Sequence, residues 1–142
     1  LERITVPGAT GYYDTNYEGK GNYAVKALET KDFIFVHVEA PDEAGHNGDM
    51  RAKITAIENF DKFVVGAVWR YLKEMKECRI MVLSDHATPV SIRTHVPDPA
   101  PFVMAGKGVE HNGFAAFSEK NAKESKLKFK SGSSLTEAFI KG

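Results

Sequence analysis

Apolar residues along this 142-residue chain recur in two rhythms. From Asp49 to Glu77 they fall three or four apart, at Ile54, Ile57, Phe60, Val64, Val65, Val68, Leu72 and Met75. That spacing predicts one long amphipathic helix, with charged residues filling much of the other face. Two continuous apolar runs bracket it: Phe33-Ile-Phe-Val-His-Val38, which Pro41 ends, and Ile80-Met-Val-Leu83. Both suit strands of a buried sheet. Strand, long helix, strand is a βαβ unit, which predicts a parallel sheet with a right-handed crossover. Further elements follow the same logic: a short strand at Ile4–Val6, a helix within Asn22–Thr30, a third strand at Pro101–Ala105, a short helix within Phe114–Ala122, and a helix over Leu135–Ile140 capped by a serine of the run 131–134.

Polar residues of one chemical kind gather where the apolar runs end. Asp42 and His46 follow the first run at spacing i, i+4, which puts them on one face if the segment is helical. Asp85 and His86 leave the second run directly. From a strand they would point apart, but from a strand end or turn both can reach one cluster. His95 adds a third imidazole nine residues later. In open α/β sheets, ligands sit beyond the carboxyl ends of the strands. Mixed carboxylate and imidazole donors without thiolate suit Mn²⁺ or Zn²⁺ better than a structural cysteine site. Each pair alone is an ordinary capping or hydrogen-bonding motif. Their convergence on one sheet carries the metal reading.

Charge and composition narrow the partners. Lys and Arg total 19, matched by 19 Asp and Glu, so no basic excess points to nucleic acid. No apolar run reaches the ~18 residues that span a membrane, and the first residues lack the pattern of a signal peptide. Cys78 is alone, which suits a reducing cytoplasm.

With those residues in place, a resemblance emerges. His37-Val-Glu-Ala-Pro-Asp-Glu-Ala-Gly-His-Asn-Gly-Asp49, Ser84-Asp-His-Ala-Thr-Pro-Val90 and Thr94-His-Val-Pro-Asp-Pro-Ala-Pro-Phe102 together resemble the archaeal-type cofactor-independent (2,3-bisphosphoglycerate-independent) phosphoglycerate mutases of the alkaline phosphatase superfamily. Val6-Pro-Gly-Ala-Thr-Gly11 and Asp14-Thr-Asn-Tyr-Glu-Gly-Lys20 resemble the stretch that precedes them. The resemblance implies a three-layer αβα domain with a mostly parallel sheet. It implies interconversion of 3-phosphoglycerate and 2-phosphoglycerate through a phosphoserine, with two divalent ions, usually Mn²⁺, and Zn²⁺ or Mg²⁺ as alternatives. Asp42, His46 and His95 match the ligands of one ion, Asp85 and His86 match ligands of the other, and Lys20 matches a catalytic lysine that contacts the phosphoryl group.

No serine of this chain matches the family's nucleophile, and the inserted domain with substrate-orienting arginines has no counterpart. Residues 1–142 therefore read as the C-terminal part of the metal-binding domain of a larger, cytoplasmic enzyme, expected to be inactive alone. The expected partner is a small phosphorylated molecule, with no nucleic acid or membrane. Two rivals remain at this point: another metal-dependent phosphotransferase or phosphohydrolase of the superfamily, such as a phosphopentomutase or phosphatase, and a non-catalytic metal-binding domain.

Overall fold

The computed structural model describes residues 2–142. Its elements run α1 (Tyr17–Leu28), α2 (Ala40–Asn47), α3 (Met50–Asn59), a π-helical segment (Phe60–Val65), α4 (Gly66–Leu72), β1 (Arg79–Leu83), β2 (Phe102–Gly106), α5 (Glu119–Glu124) and α6 (Gly132–Lys141). The α/β class expected from the sequence holds.

Local chemistry sets the helix ends. Asn16 caps α1 by accepting from the Gly19 amide, so α1 begins earlier than the apolar pattern suggested. Pro41 sits in the first turn of α2, where its missing N–H costs nothing. Gly48 ends α2 in the left-handed conformation, at φ 67°, and Asp49 immediately caps α3 by accepting from Ala52 N. Two helices thus meet across a two-residue corner. The single helix expected over Asp49–Glu77 is helical through Leu72, but Phe60–Val65 winds as a π-turn. Such a turn admits an extra residue, which rotates the apolar stripe. Ala56, Phe60, Phe63 and Val64 then pack with Tyr17, Ala40, Val36 and Val38 in one core cluster. Ser131 caps α6 as expected, within a reciprocal capping box with Ser134.

The sheet departs from the expected topology. β1 pairs with β2 antiparallel, in the register Arg79↔Gly106 through Leu83↔Phe102. Residues 84–101 contain no helix, so the chain turns back on itself instead of crossing over. The stretch Phe33–Val38 joins no ladder among the described residues. It is nevertheless built like a strand. Ile34, Val36 and Val38 are half-buried, while Phe33, Phe35 and His37 alternate outward, and Phe35 is 70% exposed. Ile4–Val6 and Phe114–Ala122 also differ: the former is irregular, and the helix near the latter starts at Glu119, behind a Ser118 cap. Among the described residues no helix is long and apolar enough to cross a membrane.

Candidate metal centre

Four side chains from three parts of the chain converge. Asp42 and His46 stand one turn apart on α2, and His46 Nε2 lies 3.3 Å from Asp42 Oδ2. His95, on the loop before β2, brings its Nε2 to 3.1 Å from His46 Nε2 and 3.5 Å from Asp42 Oδ1. His86 follows the end of β1, with its ring centroid 3.7 Å from that of His95. Asp85 joins through His86, whose Nε2 is 3.3 Å from Asp85 Oδ2. A single bridge, Ala87 to Val96, holds the His86 and His95 arms side by side. All five candidate ligands expected from the sequence therefore belong to one locality.

The edges of the Asp42–His46–His95 triangle suit a cation. An ion about 2.1 Å from nitrogen and oxygen donors spaces them by about 3.0 Å at octahedral and about 3.4 Å at tetrahedral angles. The imidazoles approach to 3.1 Å, and they meet different oxygens of the one carboxylate, His46 meeting Oδ2 at 3.3 Å and His95 meeting Oδ1 at 3.5 Å, all close to that range. Two imidazole Nε2 atoms facing each other at 3.1 Å are held together either by one proton shared between them or by a cation that both ligate. A second set, Asp42, His86 and His95, offers one donor atom each within 4.8 Å of one another.

Hydrogen bonds outside the cluster fix which nitrogens face inward. His46 Nδ1 lies 3.1 Å from the Arg93 carbonyl. A carbonyl only accepts, so Nδ1 carries the proton and Nε2 is left with its lone pair toward the cluster. Arg93 presents that carbonyl from a left-handed backbone, at φ 60°, a conformation uncommon for a residue with a Cβ. Asp42 Oδ1 accepts from Thr88 Oγ1 at 2.5 Å. Burial raises the Asp42 carboxyl, but the Thr88 bond and the imidazoles of His46, His86 and His95 outweigh it and hold the group below its ordinary value. Asp42 is thus kept as the anion that a metal ligand has to be.

Two features of this site carried no signal in the sequence. Thr88 is one, since a threonine two residues past Asp-His has no special spacing. Lys53 is the other: from α3 its Nζ donates to the Thr88 carbonyl at 2.6 Å. Burial pushes the Lys53 ammonium down, against the opposing pull of Asp42 and Glu119. Lys20 lies on α1. Its Nζ donates to the His37 carbonyl at 2.8 Å, on the segment that leads into α2. Burial lowers its pKa, opposed by Glu39. Tyr12 and Tyr13 stack at 4.1 Å beside Asn47, which donates to both hydroxyls at the last residue of α2.

Residues 1–137 match the model of one family, the Metalloenzyme superfamily. The chain belongs to the Metalloenzyme superfamily. Membership implies a divalent metal centre, and the carboxylate–imidazole cluster is where this chain has the donors for one. Among curated relatives, the chain is 56% identical over 127 residues to "2,3-bisphosphoglycerate-independent phosphoglycerate mutase 2" of Methanothermobacter thermautotrophicus, covering 89% of this chain and 31% of the relative. It is 44% identical over 143 residues to the 2,3-bisphosphoglycerate-independent phosphoglycerate mutase of Methanosarcina acetivorans, covering 99% of this chain and 36% of that one. The solved structure of PH0037 protein from Pyrococcus horikoshii superposes with a TM-score of 0.78 at 34% identity, covering 87% of this chain and 37% of that chain. The chain spans about a third of the length of the curated relatives it matches.

Proposed function

We propose that this chain supplies the metal-ligand half of a phosphoglycerate mutase that interconverts 3-phosphoglycerate and 2-phosphoglycerate through a phosphoserine. The observation that carries the reading is the Asp42–His46–His95 cluster, its imidazoles 3.1 Å apart and 3.3 and 3.5 Å from the two oxygens of Asp42, set beside Asp85 and His86. Asp42, His46 and His95 would hold one divalent ion, and Asp85 and His86 would hold part of the shell of a second. When bound, two such ions, Mn²⁺ in this reading, would supply charge to offset the phosphoryl group and to lower the pKa of an attacking hydroxyl.

The protein's own groups do the positioning. Arg93 and Thr88 orient the imidazoles and the carboxylate before any ligand arrives, so little reorganisation is left to the reaction. Lys20, on α1 and tied to the His37 carbonyl, contributes positive charge toward the transferred phosphoryl group. Release from its partner carbonyl frees the ammonium for that contact. The nucleophilic serine and the substrate-orienting domain belong to the remainder of the full-length protein, with residues 1–142 forming the C-terminal part of the catalytic domain. The enzyme works in the cytoplasm, as its free Cys78 suits.

The deciding assay follows formation of 2-phosphoglycerate from 3-phosphoglycerate by the full-length protein with Mn²⁺, beside hydrolysis of p-nitrophenyl phosphate. Isomerisation that greatly exceeds hydrolysis is the expected result. Hydrolysis without isomerisation would overturn the mutase reading in favour of a phosphatase on the same ligands.

A further inference from the structure

Thr88 is 4% exposed, one of two buried polar residues named in the described chain, the other being Thr15. Its single hydroxyl serves two groups. Oγ1 donates to Asp42 Oδ1 at 2.5 Å, and His86 Nδ1 lies 3.2 Å from the same oxygen. Having spent its one proton on the carboxylate, that oxygen is left to accept from the imidazole. Nδ1 of His86 therefore carries a proton toward Thr88, while its Nε2 lies 3.3 Å from Asp85 Oδ2. One hydroxyl thus aims a carboxylate from α2 and an imidazole from the end of β1.

The backbone around Thr88 is held just as firmly. Lys53 Nζ donates to its carbonyl at 2.6 Å. The neighbouring Ala87 is bridged to Val96. On the other side Gly45 of α2 comes so close that a Cβ there would press into the Thr88 carbonyl oxygen. A residue kept only to fill space needs neither the hydroxyl's two partners nor a half-buried ammonium on its carbonyl.

We propose that Thr88 is a positioning residue that sets the orientation of Asp42 and His86 together, and so couples the two groups of metal ligands. The inference rests on the reading of those ligands given above. Its chemical content is specific: the hydroxyl, not the size of the side chain, is what counts. Outer-shell partners of this kind are worth about 10–100-fold in metal affinity.

The test uses the full-length protein as wild type, Thr88→Val, which keeps the shape and loses the hydroxyl, and Thr88→Ser, which keeps the hydroxyl. Mn²⁺ is titrated by calorimetry. The His86 tautomer is read in the metal-free protein by ¹⁵N NMR, with its signals assigned by their loss in His86→Asn. T88V is expected to bind Mn²⁺ about 10–100-fold more weakly, T88S to bind as wild type, and wild-type His86 to carry a proton on Nδ1. Wild-type affinity in T88V, or a His86 Nδ1 without a proton in the wild type, overturns the proposal. If T88V does not fold, the wild-type tautomer and the T88S affinity decide. If the wild type binds no Mn²⁺, the metal reading itself falls, and the tautomer alone then judges the Thr88 hydrogen bond.

Discussion

Replacing Gly45 by alanine tests whether the approach of α2 to the Thr88 loop holds the cluster together. Position 45 lies between Asp42 and His46 on α2. A Cβ there would stand 2.9 Å from Thr88 Cγ2 and 3.0 Å from Lys53 Nζ, and nearer still to the Thr88 carbonyl oxygen. Ordinary contact begins at 3.4 Å, so helix and loop must part by at least half an ångström. The lysine tip can swing away, whereas the carbonyl is backbone and cannot. Overpacking of this kind costs about 1–3 kcal/mol. Alanine returns about 0.5–1 kcal/mol as a better helix former than glycine. The net loss is between about 0 and 2.5 kcal/mol, centred near about 1 kcal/mol. The displacement falls on the two ligands beside the new methyl, so Mn²⁺ affinity should drop by about tenfold, the equivalent of about 1.4 kcal/mol. Gly132→Ala is the control, because a Cβ at the start of α6 meets nothing within 4 Å. Urea denaturation and Mn²⁺ calorimetry on the full-length variants give both numbers. G45A with wild-type stability and wild-type affinity would refute the close-packing argument.

Two further outcomes follow from the same geometry. His95→Ala removes a donor from the triangle and should weaken Mn²⁺ binding more than the ~100-fold of an outer-shell loss, with most turnover lost; unchanged metal content and activity would make His95 a loop residue only. Asp42 has a folded-state pKa below its unfolded value, so its contribution to stability is present above the unfolded pKa and is lost as pH falls through the folded one. Metal-free protein should therefore lose stability on acidification below about pH 4, and Asp42→Asn should flatten that limb of a stability–pH curve; superimposable limbs would contradict the ion-pair account.

What the sequence made legible was whatever depends on neighbours along the chain. The i, i+4 spacing of Asp42 and His46 becomes a shared face of α2 because Pro41 starts the helix and Gly48 ends it. Ile80–Leu83 is a strand, and Asp85-His86 leaves its carboxyl end as expected. What depends on distant partners was hidden. The pairing direction of β1 and β2 is set by the helix-free loop between them, and apolar content says nothing of direction. Phe33–Val38 has a strand's alternation but needs a partner strand to form a ladder. The π-turn at Phe60–Val65 hid inside a helical period, because one extra residue hardly disturbs spacings of three and four. Thr88, Lys53 and the Arg93 carbonyl act through contacts 35 to 47 residues away in sequence, which no local pattern reveals.

The central claim is that Asp42, His46 and His95 hold one cation while Asp85 and His86 help hold another. Anomalous diffraction at the manganese edge, from crystals of the full-length protein grown with Mn²⁺, tests it most directly. The account predicts one peak bonded to an Asp42 carboxylate oxygen and to Nε2 of His46 and His95, with a second beside Asp85 and His86. Peaks elsewhere, with these five side chains bonded only to one another, would contradict it.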